Sequence, residues 1–210
     1  MNVLVFGVRG QGKSTLGYYL AENSKRPIAV YDVSHRFNAW PECVVSTPDD
    51  LEDLIDRAPR VVYQPENNAY EEFGEFSEIL WERELTLLID EASELQEPQA
   101  RHWWLHKWIR MHPLERVDVI QTLHAPADSW ARCRSLANDW FVFATWRPQD
   151  LKAIAEHCGD DVALGVTQLE QFQYLHFDVA ERTTEKSGNP NLWFREISGR
   201  LVVAGGLMEE

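Results

Sequence analysis

The chain has few cysteines, no long apolar run and comparatively few basic residues. Its three cysteines, Cys43, Cys133 and Cys158, form an odd and widely spaced set. Such a set indicates a reducing cytoplasm and argues against a disulfide framework or a zinc site. No apolar run approaches the roughly 20 residues that a transmembrane helix needs, and the amino terminus lacks the basic segment of a signal peptide. We therefore expect neither a signal peptide nor a membrane span.

The charge balance excludes some classes of partner. Lysine and arginine number 20 against 34 acidic residues, which makes the formal net charge −14. This argues against a protein that coats nucleic acid generally and against a polybasic membrane binder, but leaves room for DNA contact through a small basic patch. The length of 210 residues, 44% of them hydrophobic, suffices for one domain with a sizeable core. We expect a single domain over residues 1–210.

Apolar runs alternate with amphipathic stretches along the chain. The predicted strands are 3–6, 28–31, 60–63, 85–89, 117–122, 140–145, 173–177 and 192–203, the last with a turn at Ser198-Gly199. The predicted helices are 14–21, 48–57, 70–83, 99–111 and 148–157. This alternation predicts an α/β fold with a mostly parallel central sheet flanked by helices. The segment 189–205 has the pattern of a hairpin and is expected to add antiparallel strands.

A glycine-rich segment directly after the first predicted strand fits the phosphate-loop pattern G-x-x-x-x-G-K-[ST]. Its residues are Gly7, Val8, Arg9, Gly10, Gln11, Gly12, Lys13, Ser14 and Thr15. The glycines allow backbone N–H groups to converge on phosphates, and the start of the following helix adds partial positive charge. Lys13 is expected to reach the β- and γ-phosphates, and the Ser14 hydroxyl to ligate Mg²⁺. The motif predicts that ATP and Mg²⁺ bind here.

Two adjacent carboxylates, Asp90 and Glu91, follow the apolar run Leu85–Ile89. A buried strand would deliver Asp90 to the carboxyl edge of the sheet, beside the phosphate loop, where it would hold the Mg²⁺ shell. Glu91 would lie one residue further and could polarise the attacking water. Adjacent carboxylates favour hydrolysis over kinase-type transfer, and no arginine-rich lid of the kinase type is evident. The pair therefore predicts an ATPase.

A third element makes the class more specific. The strand over 117–122 is followed by His124 and Pro126, then by the segments Arg132-Cys-Arg-Ser-Leu-Ala-Asn138 and Arg147-Pro-Gln-Asp-Leu151. From residue 2 to about 178, the chain resembles the FtsK–HerA superfamily of DNA-pumping ATPases. The resemblance implies a P-loop NTPase of the RecA-like (ASCE) class, whose members have an additional strand in the central sheet and a catalytic glutamate. It places the core in residues 1–178.

The same resemblance suggests two further roles without assigning each to one residue. The polar sensor that reports the γ-phosphate could be Gln121, Thr122 or His124, because the family's glutamine before Arg-Pro is not in its usual place. An arginine that acts on the neighbouring subunit usually lies just before this strand. Arg110 and Arg116 both fit that position loosely, whereas Arg101 is further away.

Within the superfamily, the short chain is similar in size and layout to the genome-packaging ATPases of tailless icosahedral viruses with an internal membrane. This resemblance implies an ATP-hydrolysing translocase for double-stranded DNA that contacts the phosphate backbone without sequence specificity. It also implies a homo-oligomeric ring, a hexamer or pentamer, with capsid or membrane-vertex proteins as partners, in the host cytoplasm or at the packaging vertex. Two alternatives stay open: an ATPase for assembly, secretion or DNA transfer, and a small-molecule or nucleotide kinase.

Overall fold

The structure of the chain is a computed structural model that describes residues 1–37, 40–96, 102–111, 116–186, 194–197 and 200–203. Arg101, the start of the predicted helix 99–111 and the predicted turn at Ser198-Gly199 lie outside these residues. Among the helices that the structure does describe, none has the length and apolarity that crossing a bilayer requires.

Strands and helices alternate through most of the chain. The strands are β1 (Asn2–Phe6), β2 (Ile28–Asp32), β3 (Val44–Val45), β4 (Arg60–Tyr63), β5 (Leu85–Asp90), β6 (Val117–Leu123), β7 (Asp139–Phe143), β8 (Tyr174–Asp178), β9 (Thr183–Lys186), β10 (Phe194–Ile197) and β11 (Arg200–Val203). The helices are α1 (Lys13–Glu22), α2 (Pro48–Ile55), α3 (Ala69–Leu80), α4 (Trp103–Arg110), α5 (Ala131–Leu136), α6 (Pro148–Cys158) and α7 (Asp160–Val166). Two short 3-10 turns, Pro41–Cys43 and Ala92–Leu95, follow β2 and β5.

Nine strands form one sheet in the order β3-β4-β2-β5-β6-β1-β7-β8-β9. In this spatial order, every pair of neighbouring strands from β3 through β7 is parallel. The last two pairs, β7 with β8 and β8 with β9, are antiparallel. The predicted α/β fold with a mostly parallel sheet is therefore confirmed. Strand β6 lies between β1 and β5, so the carboxyl ends of these three strands are adjacent at one edge of the sheet.

Side chains alternate between the two faces of the sheet, as the pleat of a strand requires. One face packs with Leu16 of α1 and contributes Val3, Val5, Leu88 and Ile120. The opposite face belongs to a larger cluster that includes Leu4, Phe6, Leu87 and Ile89. Because both faces of the central strands are covered, these strands have continuous apolar runs, which is how the sequence revealed them.

Several elements were not predicted from periodicity. Helix α7 follows α6 directly at Gly159, whose φ of +100° both ends one helix and precedes the next. The predicted helix therefore stops at the expected glycine, but the chain turns into a second helix. Strand β9 consists of Thr183, Thr184, Glu185 and Lys186, a sequence without apolar alternation. It pairs on the antiparallel edge of the sheet beside β8.

The carboxyl-terminal hairpin differs in place from the expectation. Strands β10 and β11 pair antiparallel with each other in a separate two-stranded sheet. The antiparallel strands that extend the main sheet are β8 and β9, which come earlier in the chain. Antiparallel strands are thus confirmed near the carboxyl terminus. Within the described residues, the main sheet gains them from 174–186 and not from the hairpin.

Tryptophans serve mostly in packing. Trp40, Trp108 and Trp140 are fully buried, and the Trp108 indole N–H donates to Ser77 Oγ at 3.0 Å. On the same helix, the Lys107 ammonium lies 3.8 Å from the ring centre of Trp104, a favourable cation–π geometry. Trp103 is 59% exposed. The aromatic face of α4 therefore packs in large part within the chain itself.

Candidate active site

The phosphate-loop segment connects β1 to α1, and two of its glycines, Gly7 and Gly12, illustrate why the loop needs this residue. Gly12 precedes the first residue of α1 with φ +94°, a left-handed conformation that residues with a Cβ atom adopt at a cost. At Gly7 a Cβ atom would lie 2.8 Å from Phe143 Cβ, closer than van der Waals contact allows. These constraints hold the loop in a tight turn at the amino end of a helix, where backbone N–H groups are free for an anion.

Lys13 is buried directly behind this loop, with a relative exposure of 5%. Its Nζ donates a long hydrogen bond of 3.5 Å to the carbonyl oxygen of Val8 within the loop. Burial lowers the pKa of Lys13, while the charges of Glu91 and Asp90 oppose that shift. A buried ammonium group with so weak a hydrogen bond is costly unless an anion joins it. The phosphates of a nucleotide would meet this need.

Asp90 ends β5 and lies at the centre of a hydroxyl cluster. Thr122 Oγ1 donates to Asp90 Oδ1 at 2.6 Å, and Ser14 Oγ donates to Asp90 Oδ2 at 3.1 Å. The Tyr18 hydroxyl donates to the same Oδ2 at 3.5 Å. Burial raises the pKa of Asp90, and the hydrogen bonds from Thr122 and Ser14 oppose that rise. The structure therefore brings Asp90 and Ser14 together as the sequence predicted.

Glu91 adopts a left-handed backbone conformation, with φ +59°, which is uncommon for a residue other than glycine. Its N–H donates to Thr122 Oγ1 at 2.9 Å, so one hydroxyl links the backbone of Glu91 to the side chain of Asp90. Glu91 Oε2 lies 2.7 Å from His124 Nε2. That contact is at ion-pair distance but lacks the alignment of a hydrogen bond. Strain of this kind concentrates at functional sites.

The three candidates for the polar sensor occupy different environments. Thr122 belongs to the Asp90 cluster and His124 contacts Glu91. The side chain of Gln121 points to the opposite face of the sheet, where its Oε1 accepts from Gln96 Nε2 at 2.9 Å. The Gln96 Oε1 in turn accepts the backbone N–H of Trp130 at 2.8 Å. Thr122 and His124 therefore meet the acidic pair, and Gln121 does not.

The two arginines considered for action on a neighbouring subunit lie away from the cluster. Arg116 precedes the amino end of β6, opposite to the edge that carries Thr122. There it pairs with Glu84 at 3.5 Å and donates to the carbonyl oxygen of Glu82 at 3.1 Å. Arg110 is exposed in the last turn of α4. Neither arginine reaches the Asp90–Glu91 pair of its own chain.

The donor set at Asp90 fits Mg²⁺. Its carboxylate and the Ser14 hydroxyl are hard oxygen ligands, which Mg²⁺ prefers, usually together with water and substrate phosphates. The buried carboxylate has a raised pKa, so a cation beside it would offset the cost of ionisation. Ser14 and Asp90 are therefore suited to hold the metal next to the phosphate loop.

Two residues near the site were missed by sequence reasoning. Asp32 ends β2 and lies beside Asp90 in the register of the sheet. Its Oδ2 accepts the N–H of Phe37 at 2.9 Å and the Gln64 amide at 2.8 Å, so it holds the turn that follows β2. The sequence feature that could have revealed Asp32 is an apolar strand that ends in aspartate, the same pattern that precedes Asp90. Tyr18 was detectable because it lies four residues after Ser14 on one helix face.

The comparisons concern the fold. No family model matches the chain, and no curated protein matches it significantly in sequence. Among solved structures, the genome packaging NTPase B204 from Sulfolobus turreted icosahedral virus 2 is similar in its complex with AMPPCP, at 16% identity and TM-score 0.73, over 88% of this chain and 95% of that one. Its complex with ATP-gammaS gives 18% identity and TM-score 0.74 over the same shares.

The DNA-packaging ATPase B204 from Sulfolobus Turreted Icosahedral Virus is also similar, at 18% identity and TM-score 0.69, again over 88% of this chain and 95% of that one. The likeness to viral genome-packaging ATPases that the sequence predicted is therefore confirmed as a likeness of structure over nearly the whole length of those proteins. The chain therefore has the same P-loop NTPase fold as these proteins, a mostly parallel sheet flanked by helices.

Proposed function

We propose that the chain is a Mg²⁺-dependent ATPase that translocates double-stranded DNA during the packaging of a viral genome. One observation carries the proposal. At one edge of the sheet, two residues of the phosphate loop, Lys13 and Ser14, lie close to the acidic pair Asp90 and Glu91. The sequence predicted the loop and the acidic pair separately. The sheet has the fold of B204. A buried ammonium, a buried carboxylate and a strained glutamate at one anion-binding loop are the parts that phosphoryl transfer to water requires.

In this mechanism the chain first binds and orients the triphosphate. The N–H groups of Gly7–Thr15 and the Lys13 ammonium hold the β- and γ-phosphates. Ser14 and Asp90 would hold Mg²⁺, which would neutralise charge on the phosphates. Lys13 gains a strong anionic partner in place of its long bond to Val8, which makes binding favourable.

Glu91 then acts as the base. As a water oxygen forms a bond to the γ-phosphorus, the bond from that phosphorus to the β–γ bridging oxygen breaks. The water proton passes to the Glu91 carboxylate, and ADP and inorganic phosphate are the products. Thr122 connects Asp90 to the Glu91 backbone, and His124 contacts the Glu91 carboxylate. A change at the γ-phosphate can therefore move the end of β6 through Thr122 and His124.

The proposal includes a ring and a DNA substrate. Arg110 and Arg116 lie away from the cluster of their own chain, so either could complete only a neighbouring subunit's site, as in a pentameric or hexameric ring. Contacts with DNA would be to the phosphate backbone and independent of sequence. The net charge of −14 confines such contacts to a small basic surface and limits binding elsewhere. The ring would act in the host cytoplasm or at the packaging vertex of the virion. At the vertex, capsid or membrane-vertex proteins would anchor it.

The test is the rate of ATP hydrolysis with Mg²⁺, with and without double-stranded DNA, with the molar mass measured on the same sample. We expect DNA to raise the rate and the active species to be oligomeric. Lys13→Ala and Glu91→Gln should each abolish turnover, while Glu91→Gln still binds ATP. The matched controls are Lys25→Ala and Glu94→Gln, which change exposed residues of the same types.

Other results would assign another function. ATP binding without DNA-stimulated hydrolysis would favour an assembly or secretion ATPase. A monomer that transfers phosphate to an added nucleoside would be a kinase. Retained turnover in both Lys13→Ala and Glu91→Gln would show that the active site is wrongly assigned.

The role of the arginines has its own test. If Arg110 acts on a neighbouring subunit, Arg110→Ala should lose hydrolysis, and mixing it with Glu91→Gln subunits should restore part of it. The restored sites are those in which an intact Glu91 meets an intact Arg110. The same mixture with Arg116→Ala tests the second candidate. Full activity of both single variants would exclude both residues from this role.

A further inference from the structure

A tight turn between α7 and β8 contains an aromatic residue in an unusual conformation. The backbone N–H of Gln173 donates to the carbonyl oxygen of Glu170 at 3.1 Å, and the N–H of Glu170 donates to the Gln173 side chain at 3.1 Å. Phe172 is the third residue of this turn and has φ +67°. Glycine or asparagine is preferred at such a position, and a bulky side chain there is strained. The turn itself therefore gives no reason for a phenylalanine.

The reason lies across the fold, at the phosphate loop. The Phe172 ring lies 3.5 Å from the position that a Cβ atom on Gly12 would occupy. The neighbouring Gln171 donates from Nε2 to the carbonyl oxygen of Gly10 at 3.5 Å. The strained turn is thus held against two glycines of the loop. Backbone strain that persists beside a candidate active site points to a functional constraint.

The position of the ring fits the nucleoside of a bound nucleotide. A nucleoside is joined to the α-phosphate, so its base must lie within the reach of one ribose from the loop. Phe143 also approaches Gly12, but it is fully buried beneath the loop, whereas Phe172 is only partly buried. Phe172 therefore presents an accessible aromatic surface at the loop.

We propose that Phe172 is the stacking platform for the nucleobase, an inference that rests on the proposed nucleotide site at Gly7–Thr15. Every base has a π-face that an aromatic side chain can stack on. A phenyl ring offers no hydrogen-bonding group, so the platform adds affinity for nucleoside triphosphates without selecting one base by its polar edge. Phe172 is thus a binding residue for the base and has no part in the bond-breaking step.

The experiment compares two ligands, because only one carries a base. Binding of ATP and of inorganic tripolyphosphate, both with Mg²⁺, is measured by calorimetry in a Glu91→Gln background that prevents hydrolysis. Phe172→Gly removes the ring and relieves the positive φ, which offsets the extra freedom that glycine gives the unfolded chain, so its thermal midpoint should change little. We expect ATP affinity to drop by about tenfold, the scale of one base–aromatic stack, while tripolyphosphate affinity is unchanged.

Two further variants guard the interpretation. Phe172→Asn also tolerates the left-handed backbone and should behave as Phe172→Gly does. Trp103→Ala removes an exposed aromatic ring on α4 and should change neither affinity. Equal losses for both ligands would mean that the ring only shapes the loop, and unchanged affinities would mean that it does not touch the base; either result overturns the platform. If the parent chain binds neither ligand, the nucleotide site itself is wrong and the platform falls with it.

Discussion

Gln121 and Thr122 are adjacent on β6, both polar and both fully buried, yet their surroundings differ completely. Thr122 donates to Asp90 and accepts from the N–H of Glu91. Gln121 accepts from Gln96 and is enclosed on the other face of the sheet. The comparison teaches that a buried polar residue at a strand end can be part of a reaction site or part of the core, depending only on the face it occupies.

The position of helix α1 determines which face of the sheet belongs to the candidate active site. A Cβ atom on Gly17 would lie 3.1 Å from Thr122 Cγ2 and 3.0 Å from Leu88 Cδ1, so this helix packs closely on the Thr122 side. Because α1 begins with Lys13 and Ser14, its start lies on the same side as Asp90. The face opposite to α1 has no access to the loop, and Gln121 there completes a hydrogen-bond network.

We expect the largest effect on ATP hydrolysis from Asp90, which lies at the centre of the hydrogen-bond cluster on the side of the sheet that carries Thr122. Asp90→Asn removes a ligand suited to Mg²⁺, so we expect the rate of ATP hydrolysis to fall by about a hundredfold or more. Asp49→Asn, an exposed aspartate on α2, is the matched control and should keep the rate. Activity of Asp90→Asn near that of the unsubstituted chain would remove Asp90 from the site.

The same variant should be more stable than the unsubstituted chain without nucleotide. Burial raises the pKa of Asp90, so the folded state binds its proton more tightly and stability falls as the pH rises through that pKa. Asn avoids this penalty at neutral pH, by about 1 kcal/mol on the scale of single stabilising changes. The advantage should vanish as the pH drops toward about 4, the ordinary range of aspartate. Urea unfolding across that pH range measures it.

Thr122→Val tests the hydroxyl while keeping the shape of the side chain. It removes the hydrogen bond to Asp90 and leaves the N–H of Glu91 without its partner. Hydrogen bonds to charged groups contribute about 1.5–3 kcal/mol, so we expect kcat to fall by roughly ten- to a hundredfold. Thr122→Ser should restore most of the activity. If Val and Ser behave alike, the hydroxyl has no role in the reaction.

Gln121→Leu should give the opposite result. Its loss leaves the Gln96 amide unpaired in the core, which costs about 1–3 kcal/mol of unfolding free energy. The value of kcat, measured on folded protein, should not change. A large loss of kcat with unchanged stability would instead make Gln121 a sensor and would erase the contrast with Thr122.

The smallest effect is expected at the other end of β6. Arg116 forms an exposed pair with Glu84, and such pairs contribute about 0–1 kcal/mol. Arg116→Ala should therefore change stability little and leave the ATP affinity of the single chain unchanged, as calorimetry would show. A marked loss of ATP affinity would mean that Arg116 reaches the nucleotide of its own chain.

Sequence patterns predicted the central strands and the two motifs well, for a physical reason. Strands covered on both faces must be apolar throughout, and a loop that wraps phosphate needs glycine and lysine at set positions. Edge elements were harder. Strand β9 is polar because it lies at the edge of the sheet, where Thr183, Thr184 and Lys186 are exposed. Helix α7 follows a glycine, a residue that ordinarily ends a helix. Asp32 was missed because its proximity to the site follows from the pairing of β2 with β5, which places it beside Asp90 in the sheet.

By itself, the sequence determined the α/β class, the phosphate loop and the acidic pair Asp90-Glu91, because each rests on residues close together in the chain. Only the tertiary structure decided that β6 lies between β1 and β5, that Thr122 and not Gln121 meets the acidic pair, and that Phe172 touches the loop. Those relations join residues far apart in sequence. They depend on which face α1 covers and on where the α7–β8 turn closes, and local composition records neither.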